Sequence, residues 1–327
     1  MKLLITGGAG FIGAHVLHHF CKTYPEYEIY CLDSLSYAAQ YEHIEELEAL
    51  ESFNFIKADL NDAELLNQLF TGIGFTHIIH LAAESHVDNS INDPLLFART
   101  NVMGTLNLLE AARTHWMAGE DHLFYHISTD EVFGALGVTG QFKESTAYDP
   151  RSPYSASKAS SDHFVRAYHH TYGLPVVISN CSNNYGPFQH DEKLIPTVIR
   201  SIVNQKPIPI YGDGSNVRDW LYVKDHVAAI DRIFHSGQVG ETYCIGGDAE
   251  RSNLDLVNLL IELTDEALGN AKGHSEPLIS FVTDRKGHDF RYAIDHSNLT
   301  ESLGWTPSTD LKDGLRQTVA WYCEKYR

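Results

Sequence analysis

A glycine-rich turn near the N-terminus constrains the fold most. Residues 2–6, KLLIT, are typical of a buried strand, and residues 7–13, GGAGFIG, lead from it into a segment with a helical pattern. Gly7, Gly10 and Gly13 permit a tight turn, let backbone N–H groups approach a pyrophosphate, and let the helix pack on the strand. Asp33 ends the next predicted strand, 20 residues after Gly13, where a carboxylate can bind both hydroxyls of a ribose. This combination predicts a dinucleotide-binding unit.

The rest of the first half alternates short apolar runs with helical patterns, which predicts an α/β fold of the Rossmann type with a doubly wound parallel sheet. The predicted strands are 2–6, 28–33, 53–59, 76–83, 122–129 and 175–180, and the predicted helices are 11–23, 60–70, 99–116 and 154–172. Beyond about residue 181 Gly, Pro and Asn become frequent, and further helices are predicted at 193–204, 253–268 and 311–325. We therefore expect an NAD-binding domain over 1–181 with a returning segment near 219–245, and a smaller, discontinuous α/β substrate domain over most of 182–327.

Charge and cysteine content exclude several classes of protein. The 327 residues carry a net charge of −19, which disfavours nucleic acid as a partner because phosphate backbones are bound by clustered Lys and Arg. No run approaches the roughly 18 apolar residues of a membrane span, and the N-terminus lacks a secretory pattern. Five scattered cysteines without a CxxC motif predict a reducing, cytoplasmic setting. No metal site is predicted, since the adjacent histidines of each His-His pair point about 100° apart on a helix.

Asp33 also selects the cofactor. A carboxylate at this position repels the 2′-phosphate of NADP, and no Arg or Lys follows in DSLSY, so the sequence predicts NAD. Asp59, at the end of the third predicted strand, has two alternatives: it holds the adenine edge, or it caps a helix over 60–70.

Two further motifs carry chemistry. Tyr154 and Lys158 form YxxxK on a predicted helix, where the i, i+4 spacing places both side chains on one face. Lys158 can then lower the pKa of the tyrosine and hold the nicotinamide ribose, so that Tyr154 serves as a base toward a substrate hydroxyl. The segment STDEVFG, 128–134, places Asp130 beside Glu131 where a buried strand ends. Adjacent carboxylates are costly to bury unless they are paired or used, although an ordinary acidic loop is the alternative.

Longer segments then resemble a known family. STDEVFG, SPYSASKASSDHFVRAY, CSNNYGP, EKLIP, VRDWLYVKDH and GHDFRYAID occur in order, and the likeness runs from residue 3 to about residue 325. They are similar to the nucleotide-sugar 4,6-dehydratases, a branch of the extended short-chain dehydrogenases/reductases, and in particular to the members that act on dTDP-glucose. The resemblance implies conversion of a dTDP-glucose substrate to its 4-keto-6-deoxy product and water, with NAD tightly bound and regenerated in each turnover.

The resemblance also assigns roles to the opening acidic pair. Relatives that only epimerise C4 keep the Thr or Ser and the YxxxK but usually lack Asp-Glu. The implied cycle uses Tyr154 at the C4 hydroxyl, Thr129 at the C4 oxygen, Glu131 as the base at C5 and Asp130 as the acid at the C6 hydroxyl. The remaining alternatives are the same reaction on UDP- or CDP-glucose, a C4 epimerase, and a catalytically idle NAD-sensing protein.

The resemblance also implies binding residues beyond the motifs above. The implied cofactor residues are Gly7, Gly10, Phe11, Ile12, Gly13, Asp33, Ser34, Leu35, Ser36, Asp59, Leu60, Leu81, Ala83, Thr100, Ser128, Tyr154, Lys158 and Asn183. The implied substrate residues are Ser85, His86, Thr129, Asn184, Lys193, Leu194, Pro209, Tyr211, Arg218, Asn253, Arg285 and His288. Two of these have structural alternatives: Arg218 as a surface pair with Asp219, and Asn253 as the cap of helix 254–268. Nucleotide preference stays open, because the segment around 209–211 is hard to interpret, and Asn89 and Cys244 replace the Arg and Asn that the family commonly has.

A homodimer is the last expectation. Helices 99–116 and 154–172 carry apolar residues on more than one face, among them Val102, Leu106, Leu109, Phe164, Val165 and Tyr168. One face can pack on the sheet while the other needs cover. The resemblance implies a four-helix interface built from these two helices of each subunit.

Overall fold

The computed structural model of the chain describes residues 1–117, 121–285 and 287–327. Its twelve described strands are β1 (Lys2–Thr6), β2 (Glu28–Asp33), β3 (Phe53–Lys57), β4 (His77–His80), β5 (Leu123–Thr129), β6 (Val176–Cys181), β7 (Asn183–Tyr185), β8 (Ile208–Tyr211), β9 (Val217–Tyr222), β10 (Thr242–Ile245), β11 (Glu250–Ser252) and β12 (Ile279–Val282). The α-helices are α1 (Phe11–Thr23), α2 (Ala63–Ile73), α3 (Val87–Asn92), α4 (Pro94–Phe97), α5 (Gly104–His115), α6 (Pro153–Tyr172), α7 (Leu194–Val203), α8 (Val223–Ser236), α9 (Asn253–Leu268), α10 (Ser297–Leu303) and α11 (Leu311–Tyr326).

Seven strands form one parallel sheet in the order β10-β6-β5-β4-β1-β2-β3. Helices cover both faces: α1 and α8 enclose one apolar core, and α2, α5 and α6 enclose the other. From β1 the strand order runs one way through β2 to β3, and from β4 it runs the other way through β5 to β6. In such sheets ligands bind at the point between β1 and β4, beyond the carboxyl ends of the strands. The predicted fold class is confirmed.

The smaller region packs α7, α9 and α11 around its own apolar core. Its strands form a three-stranded sheet, β11-β9-β7, and a two-stranded sheet, β12-β8. The chain returns to the large sheet through β10, which pairs with β6. The domain boundary at 181/182 stays a prediction.

Several predicted boundaries are wrong for local reasons. Strand β3 ends at Lys57, and Asp59 instead accepts the backbone N–H of Asn61 at 2.9 Å, which turns the chain before α2. The cap of α2 is Asp62, whose side chain accepts the N–H of Leu65, so Asp59 is not a helix cap. Strand β4 covers only His77–His80. Residues 209–211, which the sequence leaves uninterpreted, lie on β8, and the proline is tolerated because β8 is one strand of a two-stranded sheet.

The predicted helix over 99–116 begins as a π-helical turn, Ala98–Met103, before α5. The backbone carbonyl of Asn101 accepts hydroxyls from Thr105 and Ser161, both at 2.6 Å, and its side-chain amide bonds the backbone of Glu84 at 2.8 and 3.0 Å. Asn101 therefore ties this turn to Glu84 and, through Ser161, to α6, and π-turns are frequent next to functional sites.

Candidate active site

A cleft of ≈ 410 Å³ lies beyond the carboxyl ends of the large sheet. Most of the predicted site residues line it. They are Gly7, Gly10, Phe11, Ile12, Gly13, Asp33, Ser34, Ser36, Asp59, Leu60, Leu81, Ala83, Ser85, Thr100, Ser128, Thr129, Asp130, Glu131, Tyr154, Lys158, Asn183, Asn184 and Lys193. Predictions from two separate halves of the sequence therefore meet in one cavity.

The glycine turn forms one wall of the cleft. Gly7 has a positive φ of 73°, and a Cβ atom there would lie 2.6 Å from the backbone nitrogen of Ala82. A Cβ atom on Gly13 would lie 2.1 Å from the carbonyl oxygen of Gly7. Within the described residues α1 has no side-chain cap at Gly10, so its first N–H groups face the cleft without a protein anion. Such a helix start suits a pyrophosphate.

Asp33 lies at the end of β2, 7% exposed, and its carboxylate organises the turn. One oxygen accepts the N–H of Ala9 at 3.0 Å and the other accepts the N–H of Leu35 at 2.8 Å. Each oxygen keeps a second lone pair, so the carboxylate can still accept two ribose hydroxyls. Leu35 itself does not line the cleft and adopts a positive φ of 55°. The donors and acceptors present here fit the adenosine half of NAD.

Tyr154 and Lys158 lie on the first turns of α6, which begins with a capping box between Ser152 and Ser155 and with Pro153 in its first turn. Both side chains are buried, and the Lys158 ammonium donates to the carbonyl of Ile127 at 2.9 Å. Burial, with the Glu131 charge second, raises the pKa of Tyr154 well above its usual range, whereas a hydrogen bond with Thr129 lowers it. The phenol is therefore protonated near pH 7, and the lowering of its pKa by Lys158 stays a prediction.

The acidic pair lies on a 3₁₀ turn, Asp130–Phe133, directly after β5. Asp130 is 2% exposed, and among the described residues its Oδ2 has no hydrogen-bond partner. Burial, the Glu131 charge and Asp219 raise the pKa of Asp130 well above its usual range. Burial also raises the pKa of Glu131, but Arg218, Lys193 and Arg285 oppose that shift. The neighbouring carboxyls therefore differ: the pKa of Asp130 is raised well above its usual range, whereas three cations oppose the rise in the pKa of Glu131.

Arg218 is not the surface partner of Asp219. It is 8% exposed, stacks on the ring of Tyr292 at 4.3 Å, and donates to the carbonyls of Val217 and Asp289 at 2.7 and 3.0 Å. Asp219 instead accepts the N–H groups of Gly247 and Ala249, each at 2.8 Å. The guanidinium is thus fixed in place by carbonyls and an aromatic ring, with no carboxylate bonded to it in the described structure.

Arg285 binds Asp88 at 2.6 and 3.0 Å and lies over the ring of Tyr211 at 5.2 Å. His288 pairs with Asp284 at 2.7 Å, and the His86 ring lies 3.9 Å from Asp88. Lys193 donates to the carbonyl of Ser85 at 3.0 Å. Arg285 and Lys193 form, with Arg218, a group of cations around Glu131.

Nine predicted site residues are not among those that line the cleft: Leu35, His86, Leu194, Pro209, Tyr211, Arg218, Asn253, Arg285 and His288. Leu194 packs in the core of the smaller region, Pro209 lies on an exposed face of β8, and Asn253 opens α9 without capping it, because the cap is Ser252. The hydroxyl of Ser128 donates to Asp162 at 2.9 Å. Whether these residues contact a ligand stays a prediction.

Sequence reasoning missed two features of the site. Glu84 lines the cleft at 6% exposure, and among the described residues its Oε2 lacks a partner. Asp162 lies one helical turn beyond Lys158, and its buried carboxylate contacts four side chains: His126, Ser128, Tyr148 and Asn180. The signal for Asp162 was its i, i+4 spacing from Lys158, which places a carboxylate on the catalytic face of α6.

No helix in 1–117, 121–285 and 287–327 is both long and apolar enough to cross a membrane. The same residues contain no cluster of three or more His, Cys, Asp or Glu side chains suited to a metal ion.

Comparison with known proteins gives a family. Residues 4–318 match the family model described as GDP-mannose 4,6 dehydratase. The chain is 49% identical to a probable dTDP-glucose 4,6-dehydratase of Sinorhizobium fredii, over 99% of this chain and 93% of the relative. Its structure superposes with a TM-score of 0.91 on the dTDP-glucose 4,6-dehydratase DesIV of Streptomyces venezuelae, solved with NAD bound, at 43% identity over 99% of this chain and 97% of that one.

The fold is shared more widely than the reaction. A UDP-glucuronic acid 4-epimerase of Bacillus cereus superposes with a TM-score of 0.90 at 28% identity, over all of both chains. The backbone alone therefore does not separate dehydration from epimerisation, whereas the match over residues 4–318 and the 49% identity do indicate a branch. This chain belongs to the family of nucleotide-sugar 4,6-dehydratases that the matching model describes.

Proposed function

We propose that this protein is an NAD-dependent dTDP-glucose 4,6-dehydratase, a hydro-lyase that converts dTDP-glucose to dTDP-4-keto-6-deoxyglucose and water. The observation that carries the proposal is the unequal pair Asp130 and Glu131, held beside Tyr154 and Lys158 in one cleft. Inversion at C4 requires neither an acid at C6 nor a base at C5, so a 4-epimerase has no use for such a pair. The catalytically idle alternative leaves a buried carboxyl and a half-buried one, both costly, without a purpose.

The first half of the reaction is oxidation at C4. Tyr154 accepts the proton of the C4 hydroxyl, and the hydroxyl of Thr129 hydrogen-bonds the C4 oxygen. The chemistry that bound NAD supplies is hydride exchange, as an acceptor at C4 and later a donor at C6. Lys158 stabilises the phenolate of Tyr154 and, by the family resemblance, binds the nicotinamide ribose.

The second half is elimination of water across C5 and C6. The 4-keto group makes the C5 hydrogen acidic, and Glu131 removes it as a proton. Asp130 gives its carboxylic proton to the C6 hydroxyl, which leaves as water. After hydride returns to C6, Glu131 reprotonates C5, and the proton that Tyr154 took from the C4 hydroxyl passes to solvent while Asp130 takes one back, which restores both groups for the next turnover. Arg218 and Arg285 are proposed to bind the diphosphate, because fixed guanidiniums match its oxygens and supply the local positive charge that this acidic chain otherwise lacks.

The proposal is tested by incubating the purified protein with dTDP-, UDP- and CDP-glucose and no added NAD. A 4-keto-6-deoxy product from dTDP-glucose, formed faster than from the other two, is the expected result. Preference for UDP- or CDP-glucose would move the proposal to another nucleotide. A C4-inverted sugar would identify an epimerase, and no product with any of the three would favour the NAD-sensing alternative.

The preference for NAD is expected to depend on Asp33. We expect the parent, stripped of cofactor, to bind NAD at least about 100-fold more tightly than NADP, because a 2′-phosphate would face a carboxylate in a partly dry site. Asp33→Asn keeps an acceptor for one of the two backbone N–H groups but removes the charge. It should therefore reduce the ratio of NAD affinity to NADP affinity. Calorimetric titration of both proteins measures it, and similar affinities of the parent for the two cofactors would refute the assignment.

A homodimer remains a proposal, and the exposed apolar side chains support one surface for it. Leu109, Val165 and Tyr168 pack inside the subunit, so they are not free for an interface. The exposed apolar side chains are Leu95 (64% exposed) on α4, Met103 (49%) at the π-helical turn and Phe164 (38%) on α6, and these three segments pack against one another. This face is proposed to pair with its copy in a second subunit.

Light scattering at micromolar concentration is expected to give twice the subunit mass of 36.7 kDa. Phe164→Glu should reduce that mass toward one subunit, because it buries a charge in the proposed interface. Val138→Glu, at an exposed position away from these helices, is the matched control and should leave the mass unchanged. A monomeric parent would contradict the proposal.

We also infer a cytoplasmic location, from the odd number of scattered cysteines noted above.

A further inference from the structure

A buried carboxylate lies behind the Tyr154–Lys158 pair and has no part in the reaction as written above. Asp162 is fully buried on α6, one turn beyond Lys158. Its Oδ2 accepts hydrogen bonds from the hydroxyl of Ser128 at 2.9 Å, the hydroxyl of Tyr148 at 2.8 Å and the amide of Asn180 at 3.2 Å. Its Oδ1 lies 3.2 Å from Nε2 of His126. Burying a charged carboxylate this deeply costs free energy, so we expect Asp162 to have a function.

The hydrogen bonds fix this carboxylate relative to the catalytic strand end. Ser128 lies on β5 immediately before Thr129, and Asn180 on β6 also donates to the carbonyl of Thr129 at 3.0 Å. The charge of Asp162 and the backbone that carries Thr129 and Asp130 are therefore tied to one another by side chains from two strands and a helix.

Lys158 has titratable neighbours from every element packed around it. They are Asp162 and Tyr154 on α6, Cys181 on β6, His126 on β5 and His80 on β4. Burial raises the pKa of Cys181 to about 12 and lowers the pKa of His126 to about 4, so both are neutral near pH 7. Burial likewise lowers the pKa of His80 and raises the pKa of Tyr154, which leaves these two neutral as well. Of these five neighbours only Asp162 carries charge.

We propose that Asp162 is a positioning residue for C4 oxidation, whose carboxylate is the counter-charge that keeps Lys158 cationic beside Tyr154. The inference rests on the proposed function, because a charged Lys158 matters to the extent that Tyr154 must become a phenolate. Burial on its own lowers the pKa of Lys158, and Asp162 is the foremost group opposing that shift. Without this anion the ammonium loses its proton at a lower pH, and a neutral amine stabilises no phenolate.

Asp162→Asn tests the charge with little change of shape. The amide oxygen can accept the bonds from Ser128, Tyr148 and Asn180, while the amide NH₂ faces His126, which can accept through Nε2 in its other tautomer. The readout is the pH profile of enzyme-bound NADH formation with dTDP-glucose. We expect its alkaline limb to move to lower pH by about one to two units, the size expected for losing a unit charge about 6 to 12 Å away at an effective dielectric near 20.

Tyr148→Phe is the matched control, since it removes one donor to the same carboxylate but leaves the charge. Its alkaline limb should coincide with that of the parent, whatever its overall rate. A profile for Asp162→Asn that superimposes on the parent's, even at a reduced rate, would overturn the proposal, because a merely structural role lowers rate or stability without moving the limb.

A second measurement needs only the parent protein. Lysine labelled with ¹³C at Cε reports whether each amine is protonated, and Lys158→Arg assigns the resonance. We expect the ammonium form of Lys158 at pH 8, and a neutral amine at that pH would overturn the proposal. The two failures are separable: a parent that makes no 4-keto-6-deoxy sugar refutes the proposed function, whereas the resonance still decides the charge of Lys158.

Discussion

Asp130→Asn and Glu131→Gln are expected to stop the reaction between its two halves. Each variant should oxidise C4, accumulate enzyme-bound NADH with substrate, and lose about 10²–10⁴ in the rate of 4-keto-6-deoxy product, the usual cost of removing a positioned acid or base. Asparagine keeps the size of Asp130 but has no carboxylic proton for the C6 hydroxyl. Glutamine keeps the shape of Glu131 but cannot accept the C5 proton.

The environment of each carboxyl explains why both halves of this prediction should hold. Asp130 is nearly inaccessible, and its Oδ1 lies 3.4 Å from the hydroxyl of Thr129, so an amide fits the same space. Glu131 is only partly buried and faces the three cations, and its backbone N–H bonds the Thr129 hydroxyl at 3.3 Å, an interaction that Gln retains. Both changes remove a carboxyl that raises the pKa of Tyr154, Glu131 having the larger effect, so they favour the phenolate that oxidation at C4 requires.

Absorbance of bound NADH and chromatography of the sugar product measure the two halves separately. Asp149→Asn is the matched control, because Asp149 lies nearby in sequence with a side chain 65% exposed and paired with Arg151, and it should turn over like the parent. Parental turnover by Asp130→Asn would show instead that STDEVFG is an ordinary acidic loop.

Tyr154→Phe is expected to abolish both signals. Without the hydroxyl no group in the cleft accepts the C4 proton at the position that Tyr154 occupies, so bound NADH and product should both fall by about 10²–10⁴. The ring itself remains, and it packs edge-on against Phe97 at 6.3 Å, so the fold should persist. Burial and Glu131 raise the pKa of Tyr154. The mechanism therefore requires Lys158 to stabilise the phenolate form of Tyr154.

The same two assays, with cofactor binding as a third, check this prediction. Tyr30→Phe is the control, since it deletes a hydroxyl that reaches Glu28 at 3.2 Å on the far end of the sheet. Normal accumulation of bound NADH in Tyr154→Phe would assign the base at C4 to another residue.

The sequence predicted the large sheet and the cleft because their signals are local. Each of these signals depends on residues that are close in sequence: glycines at fixed spacing, a carboxylate at a strand end, and an i, i+4 pair on a helix. The π-helical turn at 98–103 was not predictable in this way, because it results from Asn101 binding Glu84, Thr105 and Ser161, partners up to 60 residues away.

The errors have the same origin. Asp59 and Asn253 are good helix caps by type, but Asp62 and Ser252 occupy those positions, and a one- to three-residue shift in a boundary is invisible to residue preference. The adjacency of Arg218 and Asp219 suggested an ion pair between them. Both lie on a strand, where neighbouring side chains point to opposite faces, so each contacts other residues. Asp162 was overlooked because its four partners come from β5, β6 and the segment before α6.

Tracing hydrogen from C4 tests the central claim most directly. The parent protein, with no added NAD, is given dTDP-glucose that carries deuterium at C4, and the product is examined by NMR. We predict that the deuterium appears at C6 of the same sugar, while the hydrogen at C5 comes from solvent through Glu131. Loss of the C4 deuterium to water, or its return to C4 of an inverted sugar, would contradict an oxidation, elimination and hydride return within one bound cofactor.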